Sequence, residues 1–186
     1  MRLNLASRTA PPLLFLTDVA RVPSPERVAE ALPPGCGVIL RDYDAPERKV
    51  MGERLAAICR RRGLVFLVGA DMALANDLGA DGVHFPEGLY DRIPPVSLRG
   101  DMILTGAAHG PAAIRRAVKK SIDAVLLSPV FATRSHPGAS SLGRHRVAAI
   151  AGAAPLPVYA LGGIDAQSVR RLPHGLAGVG VIGALG

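Results

Sequence analysis

Eight short apolar runs alternate with stretches of helical character along a chain of 186 residues, and this alternation limits the fold more than any other feature. The runs are Pro12–Asp18, Gly37–Arg41, Leu64–Val68, Gly82–Phe85, Met102–Ala107, Ala124–Ser128, the run from Pro157 that stops at Gly162–Gly163, and Gly178–Ile182. Most are unbroken rather than alternating apolar with polar. A strand that is apolar at every position is buried on both faces, and a parallel sheet covered by helices is where such strands belong. Helices are predicted over Ser24–Leu32, Asp44–Arg62, Asp71–Leu78, Pro111–Lys120, Arg144–Ala151 and Asp165–Leu172, with at most one turn within Pro86–Arg99. Ser24-Pro25 supplies a cap and a proline at the first helical position, Asp44–Glu47 reads as a capping box, and Gly63 and Gly79 read as stops. Eight strand–helix units select a closed (β/α)8 barrel over an open sheet, in one domain spanning residues 1–186. The chain ends at Gly186, so the helix after strand eight is expected to be missing or truncated. A homodimer is expected on that ground, with a second copy covering the bare face.

The stretch Pro157–Asp165 (PVYALGGID) ends an apolar run at adjacent glycines, followed by a helix opener. Glycines there let backbone N–H groups face outward without a Cβ in the way, and a helix N-terminus beside them favours an anion. The last run closes in the same manner at Gly183-Ala184. Two such turns on the seventh and eighth strands fit the phosphate site of a barrel. Ordinary glycine turns at the ends of buried strands would look the same.

Composition narrows the function. The net charge is +7, but the basic residues cluster at Arg48-Lys49, Arg60–Arg62, Arg115-Arg116 with Lys119-Lys120, and Arg170-Arg171. These read as late-helix positions on a solvated outer face. Aromatics are 4% and are not interleaved with the basic residues, so nucleic acid is not an expected partner. No apolar run reaches the length of a membrane span and no signal peptide is evident, so a cytoplasmic protein is expected. Cys36 and Cys59 are not in a C-x-x-C pair and read as small buried hydrophobes.

Function in a barrel gathers where strands end and the following loops begin. Those positions hold Thr17-Asp18, Arg41, Gly69–Asp71, His84, Ala107–His109, Ser128–His136, Gly162-Gly163 and Gly183-Ala184. Metal-ligand spacing and a nucleophilic cysteine are lacking, so proton transfer on a phosphorylated substrate is the chemistry the set supports, with no resident metal. His109 is the acid–base candidate, because a histidine titrates near neutrality. A solvated loop histidine is the alternative. Arg41 is a candidate anion clamp, or it pairs with Asp42 or Asp71. His84 reads as a packing residue. Thr133, Arg134, Ser135 and His136 offer hydroxyl and cationic contacts to a phosphate, or form a plain surface loop.

With these motifs in place, the chain resembles the thiamine-phosphate synthase/TenI family. The resemblance rests on Leu16-Thr17-Asp18, Leu55–Gly63 (LAAICRRRG), Gly79–His84 (GADGVH), Asp123–Thr133 (DAVLLSPVFAT), Leu142-Gly143, Val158–Ile164 (VYALGGI) and Gly178–Ile182. The pieces occur in order across nearly the whole chain. The resemblance implies a TIM barrel and one of two activities. The synthase joins an aminopyrimidine diphosphate to a thiazole phosphate, with Mg2+ stabilising the departing pyrophosphate. The TenI branch isomerises a thiazole carboxylate phosphate through a histidine, without a metal. Both branches imply a thiazole phosphate seated on the backbone of the two glycine turns, here Gly162, Gly163, Gly183 and Ala184, with Thr133 and Ser135 nearby.

Synthase-specific residues are largely replaced. The family's Gln-x-Arg-x-Lys is Ile39–Tyr43, keeping only Arg41. The Asn-Asp-Arg after strand three is Gly69-Ala70-Asp71, and Gly-Gln-x-Asp after GVH is Pro86–Leu89. The two positions expected to bring Mg2+ carboxylates are Ala70 and Leu89, with Asp71 one residue away as a possible substitute. The serine before the strand-five histidine is Ala107, and the loop lysine is His136. Loss of even one group that stabilises developing charge typically costs about 10²–10³ in rate. The expectation is therefore a TenI-like, metal-free isomerisation through His109, with Arg41, His136 and Asp71 also toward the substrate. A divergent Mg2+-dependent synthase and a non-catalytic phosphate-binding protein are the alternatives.

Overall fold

The computed structural model describes residues 10–95, 101–133 and 140–185. Eight parallel strands close into a barrel in sequence order: β1 (Leu13–Leu16), β2 (Gly37–Leu40), β3 (Val65–Gly69), β4 (Gly82–Phe85), β5 (Ile103–Ala108), β6 (Ala124–Leu127), β7 (Val158–Ala160) and β8 (Gly178–Val181). The closing ladder pairs Leu13 with Val179, Leu14 with Gly180 and Phe15 with Val181. Helices α1 (Pro25–Ala31), α2 (Arg48–Arg62), α3 (Met72–Asp77), α4 (Pro111–Lys119) and α5 (Gly143–Ala153) lie in the connections. Two 3-10 turns, Glu87–Arg92 and Ser168–Arg171, stand in for helices after β4 and β7.

The unbroken apolar runs are explained by two separate cores. Leu14, Leu16, Ile39, Leu67, Ile103, Leu126 and Tyr159 form one buried cluster, which fills the barrel. Their neighbours along the same strands, Phe15, Val38, Leu40, Phe66, Val68, Leu104 and Val125, belong to a second cluster shared with the helices. Successive side chains point to opposite faces of a strand, so the runs are apolar at nearly every position to serve both cores, His84 and Thr105 being buried exceptions. Cys36 and Cys59 are buried free thiols, and burial pushes the Cys59 thiol up to about 12, so it stays protonated.

Several helix expectations are corrected. The capping box at Asp44–Glu47 does not form. A turn with Arg48 N–H donating to Ala45 O precedes α2, which begins at Arg48 without a side-chain cap. Arg48 therefore opens a helix rather than closing one, and it is held there by Gly69 O and by Asp71. Ser24 likewise gives α1 no side-chain cap, although Pro25 does stand at the first helical position. Gly63 ends α2 in the left-handed conformation as expected, at φ 67°. The helix expected over Asp165–Leu172 shrinks to one 3-10 turn. Leu172 precedes Pro173 and is extended (φ −67°, ψ 147°), which ends the turn there. After β8 only a turn follows among the described residues, and no helix there is long and apolar enough to cross a membrane.

Gly82 shows how tightly β4 and β5 approach. A Cβ at this position would lie 1.9 Å from Ile103 O, its partner in the ladder. Because that contact is backbone, it cannot move aside cheaply. Gly82→Ala is expected to cost about 2–3 kcal/mol and to lower Tm by roughly 4–12 °C. A thermal melt identical to wild type would contradict this packing.

Candidate functional site

Parallel strands deliver all their C-terminal ends to one face of the barrel, and two adjoining cavities lie there. The first, about 500 Å3, is lined by residues from most of the strand ends, including Arg41, Tyr43, His84, Ala107, His109, Ser128, Thr133 and Gly162. The second, about 650 Å3, is lined by Gly162–Asp165 after β7, by Gly180–Ala184 at the end of β8, and by Ala132 and Thr133. Arg21, Thr133, Leu161, Gly162 and Ile182 border both.

The second cavity holds the two glycine turns. Gly162 and Gly163 have φ of 93° and 66°, a region that only glycine enters without strain. Loop residues after β6 run beside them: Val130 N–H donates to Leu161 O, and Phe131 N–H to Gly162 O. A Cβ on Gly163 would stand 2.5 Å from Ala132 O. The turn is fixed further by Asp165 Oδ1, which accepts from Gln167 N–H (2.9 Å) and Ser168 N–H (2.7 Å). Ser168 Oγ accepts from Asp165 N–H and donates to Gly163 O. The bonds to Ser168 and Gln167 hold the Asp165 carboxyl below the usual range. Among the described residues, no backbone acceptor takes the N–H of Gly162, Gly163, Gly183 or Ala184. These four expected seat residues thus line the wall of one cavity.

His109 stands just past β5 with its side chain 61% exposed. Its Nδ1 lies 2.8 Å from Glu87 Oε2, and its backbone N–H donates to the same oxygen at 3.2 Å. Arg116 braces Glu87 by an ion pair at 3.5 Å and by a hydrogen bond to Glu87 O. An ionised carboxylate can only accept, so the contact to Glu87 requires the proton on Nδ1, and in the neutral ring the lone pair is then on Nε2. Sequence reasoning found the histidine and missed Glu87 as its orienting partner. The usable signal was an acid in the loop after β4, the strand next to β5.

His84 is buried with Nδ1 2.9 Å from Thr105 Oγ1. Burial, and then the positive charge of Arg41, lower its pKa to about 4. It is a neutral wall of the first cavity, with its ring bonded to a side chain rather than to backbone.

Arg41 is not paired with Asp42 or Asp71. Its Nη2 donates to Asp18 Oδ2 at 2.6 Å, and its backbone N–H donates to Thr17 Oγ1 at 2.9 Å. Asp71 lies on neither cavity wall. Its Oδ1 caps α3 by accepting from Leu74 N–H, and its Oδ2 faces Arg48 at 3.5 Å. Two carboxylates near the positions where the family implies Mg2+ donors are thus engaged, Asp71 by a cap and an arginine, Glu87 by His109 and Arg116. No cluster of three metal-donor side chains exists among the described residues. Neither Asp71 nor Glu87 could hold a divalent cation without giving up these partners. Arg134, Ser135 and His136 lie outside the described residues.

The low pKa of His84 gives a test of its surroundings. The unfolded chain takes up this proton near the ordinary value of 6.5, whereas the folded chain resists it to about 4. The unfolded state therefore binds more protons across that window, and stability contributed by neutral His84 is lost as pH falls through it. An NMR titration is expected to show the His84 ring neutral at pH 6, and a ring half-protonated at pH 6.5 would contradict the burial.

Comparison with known proteins places this geometry among relatives. A family model described as thiamine monophosphate synthase (TMP-TENI) matches residues 13–185. A thiamine-phosphate synthase of Thermus thermophilus is 34% identical over 152 residues, covering 79% of this chain and 73% of that protein. A putative thiamine-phosphate synthase 2 of Aquifex aeolicus is 28% identical over 148 residues, with 76% and 80% covered. Among solved structures, thiamine phosphate pyrophosphorylase from Pyrococcus furiosus superposes with a TM-score of 0.77 at 26% identity, covering 95% of this chain and 87% of that one.

Proposed function

The chain belongs to the thiamine monophosphate synthase/TenI family, and we propose that within it this protein seats a thiazole phosphate on its two glycine turns and isomerises the ring by proton transfer through His109. One observation carries the reading: His109 and Gly162 border the same cavity, so a ligand anchored at the turns presents its ring toward the histidine. The phosphate accepts hydrogen bonds from the N–H groups of Gly162, Gly163, Gly183 and Ala184 at the cavity wall. Nε2 of His109 takes a proton from the substrate, and the imidazolium returns it at another ring position. The Glu87 carboxylate stabilises the imidazolium between these two transfers. Protons balance within the substrate, so no co-reactant is needed.

A second reading, a thiamine-phosphate synthase, is favoured by the names of the relatives in Thermus and Aquifex. Against it stand the replacements at Ala70, Leu89 and Tyr43 and the engaged side chain of Asp71. The two readings separate in one pair of assays: coupling of aminopyrimidine diphosphate to thiazole phosphate with and without Mg2+, and NMR of the thiazole carboxylate phosphate. Isomerisation without metal supports the first, and Mg2+-dependent coupling alone rejects it. His109→Ala is expected to lower isomerisation by roughly 10²–10⁴ while calorimetry finds thiazole phosphate still bound. Glu87→Gln is expected to lower kcat by less. Unchanged turnover in His109→Ala would remove the histidine from the chemistry.

A further inference from the structure

The loop between β1 and α1 brings a residue to the site that sequence reasoning did not select. Backbone N–H groups of Arg21 and Val22 both donate to Asp18 O, at 3.0 and 2.8 Å, so the chain folds back within four residues. Arg21 is thereby returned to the barrel mouth, where it borders both cavities. Its stem runs beside the last glycine turn: Cδ is 3.8 Å from where a Cβ on Gly183 would stand.

Arg21 shares its carboxylate partner with a second arginine. Asp18 Oδ2 receives Arg41 Nη2 at 2.6 Å and Arg21 Nε at 3.4 Å. One carboxylate thus serves two guanidiniums, and the shorter contact belongs to Arg41. Arg21 is the looser partner, and its charged side chain borders both cavities. The seat itself needs such a charge. Its N–H donors carry only partial charges, and Asp165 places a carboxylate on the same wall. A phosphate monoester brings close to two negative charges at neutral pH. Amide dipoles beside a carboxylate are a poor match for it without a cation. Guanidinium, with several donors in a planar fork, suits phosphate oxygens.

We propose that Arg21 is the side chain that recognises the phosphate group at the glycine turns, held in reach by Asp18, and that it makes the seat selective for the phosphorylated ligand over its alcohol. This rests on the thiazole-phosphate reading above. Asp18 keeps the guanidinium at the junction while Arg41 holds Asp18 in place. Phosphate binding then trades the longer Asp18 contact for a dianion.

The test is calorimetry with thiazole phosphate and with the unphosphorylated thiazole alcohol on wild type, Arg21→Gln and Arg21→Lys. Arg21→Gln is expected to bind the phosphate about tenfold more weakly, the lower end of what a charged hydrogen bond contributes, because the site is partly open to water. Alcohol binding is expected to stay as in wild type, and Arg21→Lys to recover part of the loss. A purely structural role for Arg21 would weaken both ligands together, and that result overturns the proposal. So does an Arg21→Gln variant that binds the phosphate as tightly as wild type. A wild-type protein that binds no thiazole phosphate would overturn the parent reading itself, which distinguishes the two failures.

Discussion

Closure of the barrel between β1 and β8 is the contact on which the rest of the site depends. An open parallel sheet would leave the first and last strands on opposite edges. Here Phe15 pairs with Val181, so the turn after β1 and the turn after β8 emerge side by side. That juxtaposition puts Arg21 over Gly183. The glycines of β8 permit the closure. A Cβ on Gly178 would lie 2.6 Å from Pro12 O, and one on Gly180 would press on Leu161, Leu126 and Leu16 inside the barrel. A larger residue at Gly178 would push the closing strand away from β1, and the seat would lose its shape with the fold.

The mouth of the barrel divides into two unlike halves. At the β7–β8 side, Asp165, Ser168 and the paired loop after β6 hold the glycine turns in shape. At the β2–β4 side, the charged groups are engaged with one another: Arg41 with Asp18, Arg48 with Asp71. Groups committed to neighbours stabilise loops and are costly to redirect toward a ligand. Asp71, beside a position where the family resemblance implies a metal donor, is held in one of these pairs. His109, held by Glu87, borders the same cavity as Gly162.

The strands were easy to recognise from the residues, since a strand serving both an interior and an outer core admits a polar residue only with a buried partner, as His84 has in Thr105. Glycine stops were equally readable at Gly63 and Gly79, because φ is positive at both. Helix starts were not. Asp44 and Glu47 have the spacing of a capping box, yet a turn at Ala45–Arg48 satisfies the backbone first. The helix after β7 failed for a local reason that was present in the sequence, a proline at 173. The charged partners were the weakest inference. Arg41 sits next to Asp42 in the chain but bonds Asp18, 23 positions away, because strand pairing brings β1 and β2 into register.

By itself, the sequence determined the strand count, the two-faced burial, the glycine turns at the ends of the seventh and eighth runs and the presence of His109 past the fifth. These follow from local pattern: apolar continuity, backbone freedom and position within one strand–loop unit. Tertiary structure alone decided which side chains meet. Glu87 reaches His109 because β4 and β5 are neighbours, and Arg21 reaches Gly183 because the barrel closes. Such meetings depend on distances between strand ends that lie far apart along the chain, and a one-dimensional pattern carries no measure of them.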